Sequence, residues 1–392
     1  MKYFILVFSL LTANCIYGST PEKILLNHDK QIKGELTLKD LVESIEYIPL
    51  EATDECLITV GMYQLFDVSD NYIVVGCYQS EAVYLFKRNG HFIKKISEKG
   101  AGPDEYLSLS NVAIDETRKH IVINDRYKMM LFSLSGKFLK AIKTPTNDDL
   151  LQLYYKDRFI TGVPSGMMKD QDTCVFRLWD SNFNLINSGV KAIPVKPTLN
   201  TTRIAFTTFR YPFVSYLYEN KFHVRETSLN ETLYVVNDMD KIIPKYVIDE
   251  GKYKATVEMR ADADYWSRVS NNGSILCITS IFETPSCLFM NYYKDRDCYC
   301  YYDKQQQKIF YLNSKEGIPD TIEHGIDFWP KKQKNNLLLR LYNAPELLEL
   351  YEKQKGSSTT KGEKAVQKVK QVLRKLDVED NPVLIIAKIK QK

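Results

Sequence analysis

Phe86-Lys-Arg-Asn-Gly90-His-Phe92-Ile93 is echoed 46 residues later by Phe132-Ser-Leu-Ser-Gly136-Lys-Phe138-Leu139. In both copies an apolar run stops at a phenylalanine, turns at a glycine and resumes as a second alternating run. A period of two marks a half-buried strand, and Asn89-Gly90 has the chemistry of a tight hairpin turn. Strand pairs that recur at about 40–50 residues have the spacing of a β-propeller blade.

Working outward, the first copy extends to four apolar segments, Ile58–Phe66, Tyr72–Val75, Ala82–Phe86 and Phe92–Ile96. The second extends to Leu107–Ile114, His120–Ile123, Met129–Phe132 and Phe138–Ile142. Weaker copies follow around Arg158–Ile186, Phe213–Ile248 and Ile275–Leu312, and a sixth begins at Ile326 and runs through Asn336–Tyr342. A helical insertion over 345–378 interrupts it. Leu347, Leu348, Leu350 and Tyr351, then Val366, Val369, Leu373 and Leu376, recur at helical spacing. These stripes are expected to pack on the sheets rather than to form a partner-binding groove. Val383–Ile389 is the most strand-like run in the chain, and Ile45–Leu50 is its natural companion. The expected architecture is an all-β, six-bladed β-propeller over 45–392, closed by strands 45–50 and 383–389 and preceded by a polar lead-in over 20–44.

The chain of 392 residues carries 53 basic and 49 acidic side chains, a net charge of +4. This near-balance gives no basic footprint for nucleic acid. The 26 tyrosines and 18 phenylalanines favour sheets. At the N-terminus a charged start precedes an apolar core too short to span a bilayer, which reads as a secretion signal over 1–19. Leu11-Thr-Ala-Asn-Cys15 offers lipidation of Cys15 as the alternative, with Asn14 where a lipobox wants a small residue. Either way the chain is expected in the periplasm or at the cell surface, monomeric and without a transmembrane segment. Of the cysteines beyond the leader, Cys298 and Cys300 share a strand face but lack nearby histidines, and no metal site is expected of them. A Cys277–Cys287 bridge across one hairpin is an option in an oxidising compartment.

Ile45-Glu-Tyr-Ile-Pro-Leu-Glu51, the Gly-x-Phe blade turns, Lys99-Gly-Ala-Gly-Pro-Asp-Glu-Tyr106 and Asn381-Pro-Val-Leu-Ile-Ile386 together resemble a six-bladed β-propeller family abundant in Bacteroidetes, distantly similar to NHL-type propellers. The most specific mark is carried by Gly100, Gly102, Pro103, Glu105 and Tyr106. The resemblance implies export and the fold, and implies no particular reaction.

Gly100–Glu105 is not a phosphate loop, because it lacks the Gly-Lys-Ser/Thr ending and leads into a strand rather than a helix. As a connector between blades it places Asp104, Glu105 and Tyr106 near one mouth of a central channel, with Asp125, Arg126, Tyr127 and Arg225 from neighbouring loops. The expected function is a cell-envelope module that binds a ligand or partner at that mouth, without a cofactor. The competing expectation for Glu105 is that it stitches the ring. The alternative function is a lactonase-like hydrolase or lyase with a carboxylate cluster, holding Ca²⁺, in the channel. The five histidines are scattered and no Gly-x-Ser-x-Gly elbow occurs, so catalytic residues are not assigned.

Overall fold

The computed structural model describes residues 20–391, apart from 60, 62–63, 126, 144–149, 166–173, 194–212, 228–229, 262–272, 315 and 356–365, and without the side chains of 260, 261, 355 and 366–368. The leader over 1–19 and Cys15 lie outside the described residues, as does Arg126.

The lead-in supplies β1 (Glu22–Leu25), β2 (Lys33–Gly34), helix α1 (Leu38–Leu41) and β3 (Val42–Pro49). Three four-stranded antiparallel sheets follow. The first is β4 (Leu65–Val68), β5 (Tyr72–Cys77), β6 (Ala82–Lys87) and β7 (Phe92–Glu98). The second is β8 (Leu109–Asp115), β9 (His120–Asp125), β10 (Lys128–Ser133) and β11 (Phe138–Lys143). The third is β12 (Leu150–Tyr155), β13 (Arg158–Gly162), β14 (Cys174–Asp180) and β15 (Leu185–Lys191). Burial follows position in the sheet. β5 is apolar and buried along nearly its whole length, as a strand covered on both faces must be, and β9 is as buried, with Ile121–Ile123 apolar and Asn124 and Asp125 polar at its end. β11 is half-exposed.

The repeated stretch is the turn between the last two strands of the first two sheets. Phe86 packs edge-on against Phe92 with centroids 5.8 Å apart, and Phe132 repeats the contact with Phe138 at 5.5 Å. Gly90 has φ +91°, and a Cβ there would lie 2.1 Å from the Pro49 carbonyl oxygen, so this turn needs glycine twice over.

The remaining strands are β16 (Phe213–Tyr218), β17 (Lys221–Glu226), β18 (Thr232–Val236), β19 (Ile242–Asp249), β20 (Cys277–Glu283), β21 (Cys287–Lys294), β22 (Arg296–Asp303), β23 (Lys308–Leu312), β24 (Lys332–Lys334), β25 (Leu337–Tyr342) and β26 (Val383–Ile389). The helices among them are α2 (Val257–Ala261), α3 (Ala344–Lys355) and α4 (Val366–Lys375). β2 adds to β23–β20 as a five-stranded sheet. The rest form one nine-stranded sheet in the order β1-β19-β18-β17-β16-β24-β25-β26-β3. Leu347 and Tyr351 of α3 and Val369 and Leu373 of α4 are buried in a cluster with Ile45, Trp329 and Ile385.

This pattern corrects the expected six-bladed β-propeller. Among the described residues the hydrogen bonding yields five sheets of nine, five, four, four and four strands, and none is closed or curled on itself. The physical cause is local to β24. This three-residue strand lies parallel to β16 through Leu217↔Lys334. The buried Gln333 accepts from the Glu283 amide at 2.8 Å and donates to the Glu283 carbonyl at 2.7 Å. The Leu217↔Lys334 bridge draws two expected units into one sheet, while Gln333 ties β24 to β20 of the neighbouring five-stranded sheet.

The expected channel is corrected with it. Where β4, β8, β12, β16 and β24 converge, the side chains leave a cavity of only about 10 Å³, and between β16, β20 and β24 one of about 140 Å³. Asn111 donates to the Leu151 carbonyl at 3.0 Å, and Lys334 donates to Asp67 at 2.9 Å, filling the space between strands. The disulfide option fails on register. Glu283 pairs with Leu288 at the turn, so Cys277 and Cys287 sit at opposite ends of the hairpin, and no disulfide joins them.

Candidate functional site

The residues expected at a channel mouth are divided between two places. Around the Gly100–Tyr106 loop, the Glu105 carboxylate turns back to accept from the Gly102 amide at 2.7 Å, packed against Gly100. Asp104 is exposed, and its carbonyl accepts from the Ser97 hydroxyl at 2.6 Å. Tyr106 is buried. Asp125 is fully buried and accepts from the Leu107 and Ser108 amides at 3.0 and 3.1 Å. Tyr127 is exposed. Arg225 lies elsewhere, 1% exposed and paired with the buried Glu250 at 2.5 Å. These contacts order loops, and with no open channel there the expected binding site and the lactonase-like alternative both lose their footing. Among the described residues no group of three or more acidic, histidine or cysteine side chains is placed to hold a metal ion.

The densest ionic cluster was not legible in the sequence. Glu283, 1% exposed at the end of β20, accepts from Lys245 Nζ at 2.9 and 2.8 Å and from Lys304 Nζ at 2.7 Å. The hydroxyls of Tyr216 and Tyr246 donate to it at 3.0 and 3.1 Å. Burial opposes its charge, but Lys245 and Lys304 outweigh burial and hold the carboxyl down at about 2. His223 stacks on Tyr216 at 4.6 Å. Its Nδ1 lies 3.0 Å from the Lys221 carbonyl and its Nε2 3.0 Å from Lys245 Nζ. A carbonyl can only accept and an ammonium can only donate, so the proton sits on Nδ1 and the ring is neutral. Burial, reinforced by Lys245, pushes the imidazole down to about 3. A carboxylate held by four donors and pulled this low is no general base. The cluster is a clamp between β16–β19 and β20–β23.

A concavity large enough for a ligand lies at the outer end of the nine-stranded sheet. It encloses about 820 Å³, within the range of ligand sites. One wall is β3, which lines it continuously from Glu43 to Pro49, and the other is α4, through Val369, Gln371, Val372 and Lys375, with Leu376 just beyond its end. Ile322, Glu323 and Asp380 complete it. The elements are placed by their apolar faces: Ile45 and Tyr47 of β3 and Val369 and Leu373 of α4 share one core cluster, with Val372 and Leu376 partly buried at its margin. The expectation that the helical stripe packs inward holds for its buried positions, while its margin forms this groove. None of the residues expected at the channel mouth lines it.

The family model of DUF4934, a domain of unknown function, matches residues 22–388. The chain belongs to that family. This DUF4934 chain is similar in fold to an exported protein of Bacteroides fragilis, with a TM-score of 0.66 and 16% identity over 95% of this chain and 100% of the other. It is also similar to a member of the DUF4221 family from Bacteroides vulgatus, with a TM-score of 0.50 and 12% identity over 93% of this chain and 100% of the other. No curated protein matches the DUF4934 chain. Among the described residues no helix is long and apolar enough to cross a membrane.

Proposed function

We propose that this DUF4934 protein is an exported binding protein of the bacterial envelope, and that its binding surface is the groove between β3 and α4. The observation that carries the reading is the groove itself, about 820 Å³ walled by seven consecutive residues of β3 and one flank of α4. It combines apolar side chains, Ile45, Val372 and Leu376, with charged ones, Glu46 and Lys375, the mixture that ligand sites use for affinity and orientation. Export is supported by the charged and then apolar start of the chain over 1–19 and by the likeness to the exported Bacteroides fragilis protein.

The test is a displayed random-peptide library panned against residues 20–392 and against the Val372→Trp variant, in which an indole fills the groove. Enrichment of a common sequence class by the native protein, lost in the variant, is the expected result. Equal enrichment by both proteins, or none by either, overturns the reading.

A further inference from the structure

We infer that the occupant of this groove is an extended polypeptide segment of alternating basic and apolar residues, which pairs with β3 as an added strand; the inference rests on reading the groove as a binding site. Among the described residues β3 ends the nine-stranded sheet and pairs on one side only, with β26. The Leu50 amide donates to the Pro382 carbonyl at 3.0 Å. Antiparallel ladders alternate, so Ile48, Glu46 and Ser44, opposite Leu384, Ile386 and Lys388, turn their backbone groups towards β26. Ile45 and Tyr47 turn theirs the other way, towards the open edge, where no described strand meets them. An open row of backbone donors and acceptors beside a cavity is the geometry of strand addition.

The side chains select the sequence of the segment. On one face of β3, Ile45 and Tyr47 join the cluster that Val372 and Leu376 border, so the facing residues of an added strand are apolar. On the other face Glu46 is half-exposed and holds Arg88 at 3.3 Å, and Glu43, the extra residue where the ladder register shifts, holds Lys388 at 2.6 Å. Exposed pairs of this kind exchange partners at little cost. Glu43, Glu46 and Asp380 outnumber the one lysine, Lys375, among these lining residues, so the matching residues of the segment are basic. A second copy of this chain is a poorer occupant. β3 against β3 would bring glutamates together, and like charges on facing strands destabilise the pair.

The test uses residues 20–392 and fluorescent synthetic peptides of alternating lysine and valine, read by anisotropy at low and high salt. Binding by the lysine–valine peptide is expected, with a glutamate–valine peptide at least about tenfold weaker. Methylating the alternate amides on one edge of the peptide should weaken binding by about tenfold, with little change when the other edge is methylated. Glu46→Lys should weaken the preference for the lysine–valine peptide without reversing it. Binding that is lost in Val372→Trp but indifferent to amide methylation or to peptide charge overturns strand addition while leaving the groove as the site. Failure of both lysine–valine and glutamate–valine peptides to bind also overturns the inference, and the library panning then decides separately whether the groove binds anything else.

Discussion

Lys245 reaches the buried Glu283 carboxylate at 2.8 Å, and with Lys304 it makes the end of β20 the meeting point of two strand units. Removing one member of a buried ionic cluster leaves the others uncompensated. Glu283→Gln is expected to cost about 3–5 kcal/mol, read as a lower urea midpoint at unchanged slope. Pairing it with Lys245→Met should return part of that loss. A single variant within about 0.5 kcal/mol of the native protein would show that the cluster is not a clamp.

The same cluster sets an acid limit. The folded His223 sits at about 3 against its ordinary 6.5, so as pH falls through 6.5 the unfolded chain takes the proton first. The stability this group contributes is full above 6.5 and is lost progressively down to 3. Glu283 sits at about 2 against an ordinary 4.5, so its contribution is full above 4.5 and is lost down to 2. Between 6.5 and 4.5 the His223 slope, about 1.4 kcal/mol per pH unit at its steepest, acts before that of Glu283. His223→Gln should flatten stability in that interval and leave the lower one in place. Chemical denaturation at stepped pH measures both, and an unchanged upper slope refutes the assignment.

The Gly100–Tyr106 loop folds on itself and should behave as one unit. A Cβ at Gly100 would lie 2.0 Å from the Glu105 carboxylate, forcing it off the Gly102 amide. Gly100→Ala and Glu105→Ala should each cost about 1–2 kcal/mol, and the double variant should be no worse than the poorer single. Additive losses in the thermodynamic cycle would separate the two residues.

Gly90→Ala should be worse than either. Its φ of +91° is costly for alanine, and the new Cβ would meet backbone at Pro49 rather than the tip of a flexible side chain. A loss of about 2–4 kcal/mol is expected by thermal melting, combining strain with a displaced turn.

Truncation before Pro382 removes β26 from between β25 and β3, where Leu384 faces Ile48 and Leu341. Two edges and a buried apolar face would open together. The truncated chain should lose its cooperative melt; a transition at the native temperature would show that β26 is dispensable.

Much of the local structure was readable. The Phe86–Phe92 and Phe132–Phe138 repeat, the turns at Gly90 and Gly136, and the two apolar helical stripes are all encoded within a few residues of where they act. The division into sheets was not. It depends on Leu217 meeting Lys334, a contact that no periodicity announces. The expected site misled for the same reason. Asp125 and Arg225 are polar residues at strand ends, which from sequence look available, yet Asp125 caps the Leu107 and Ser108 amides and Arg225 is buried against Glu250.

The sequence by itself determined where strands, turns and helices form, because alternation, glycine conformation and helical spacing are properties of neighbouring residues. Only the tertiary structure decided which strands share a sheet, that side chains fill the space where the inner strands converge, and that β3 keeps an open edge beside α4. Those outcomes rest on hydrogen bonds and burial between segments far apart in the chain, whose geometry exists only once the chain has folded.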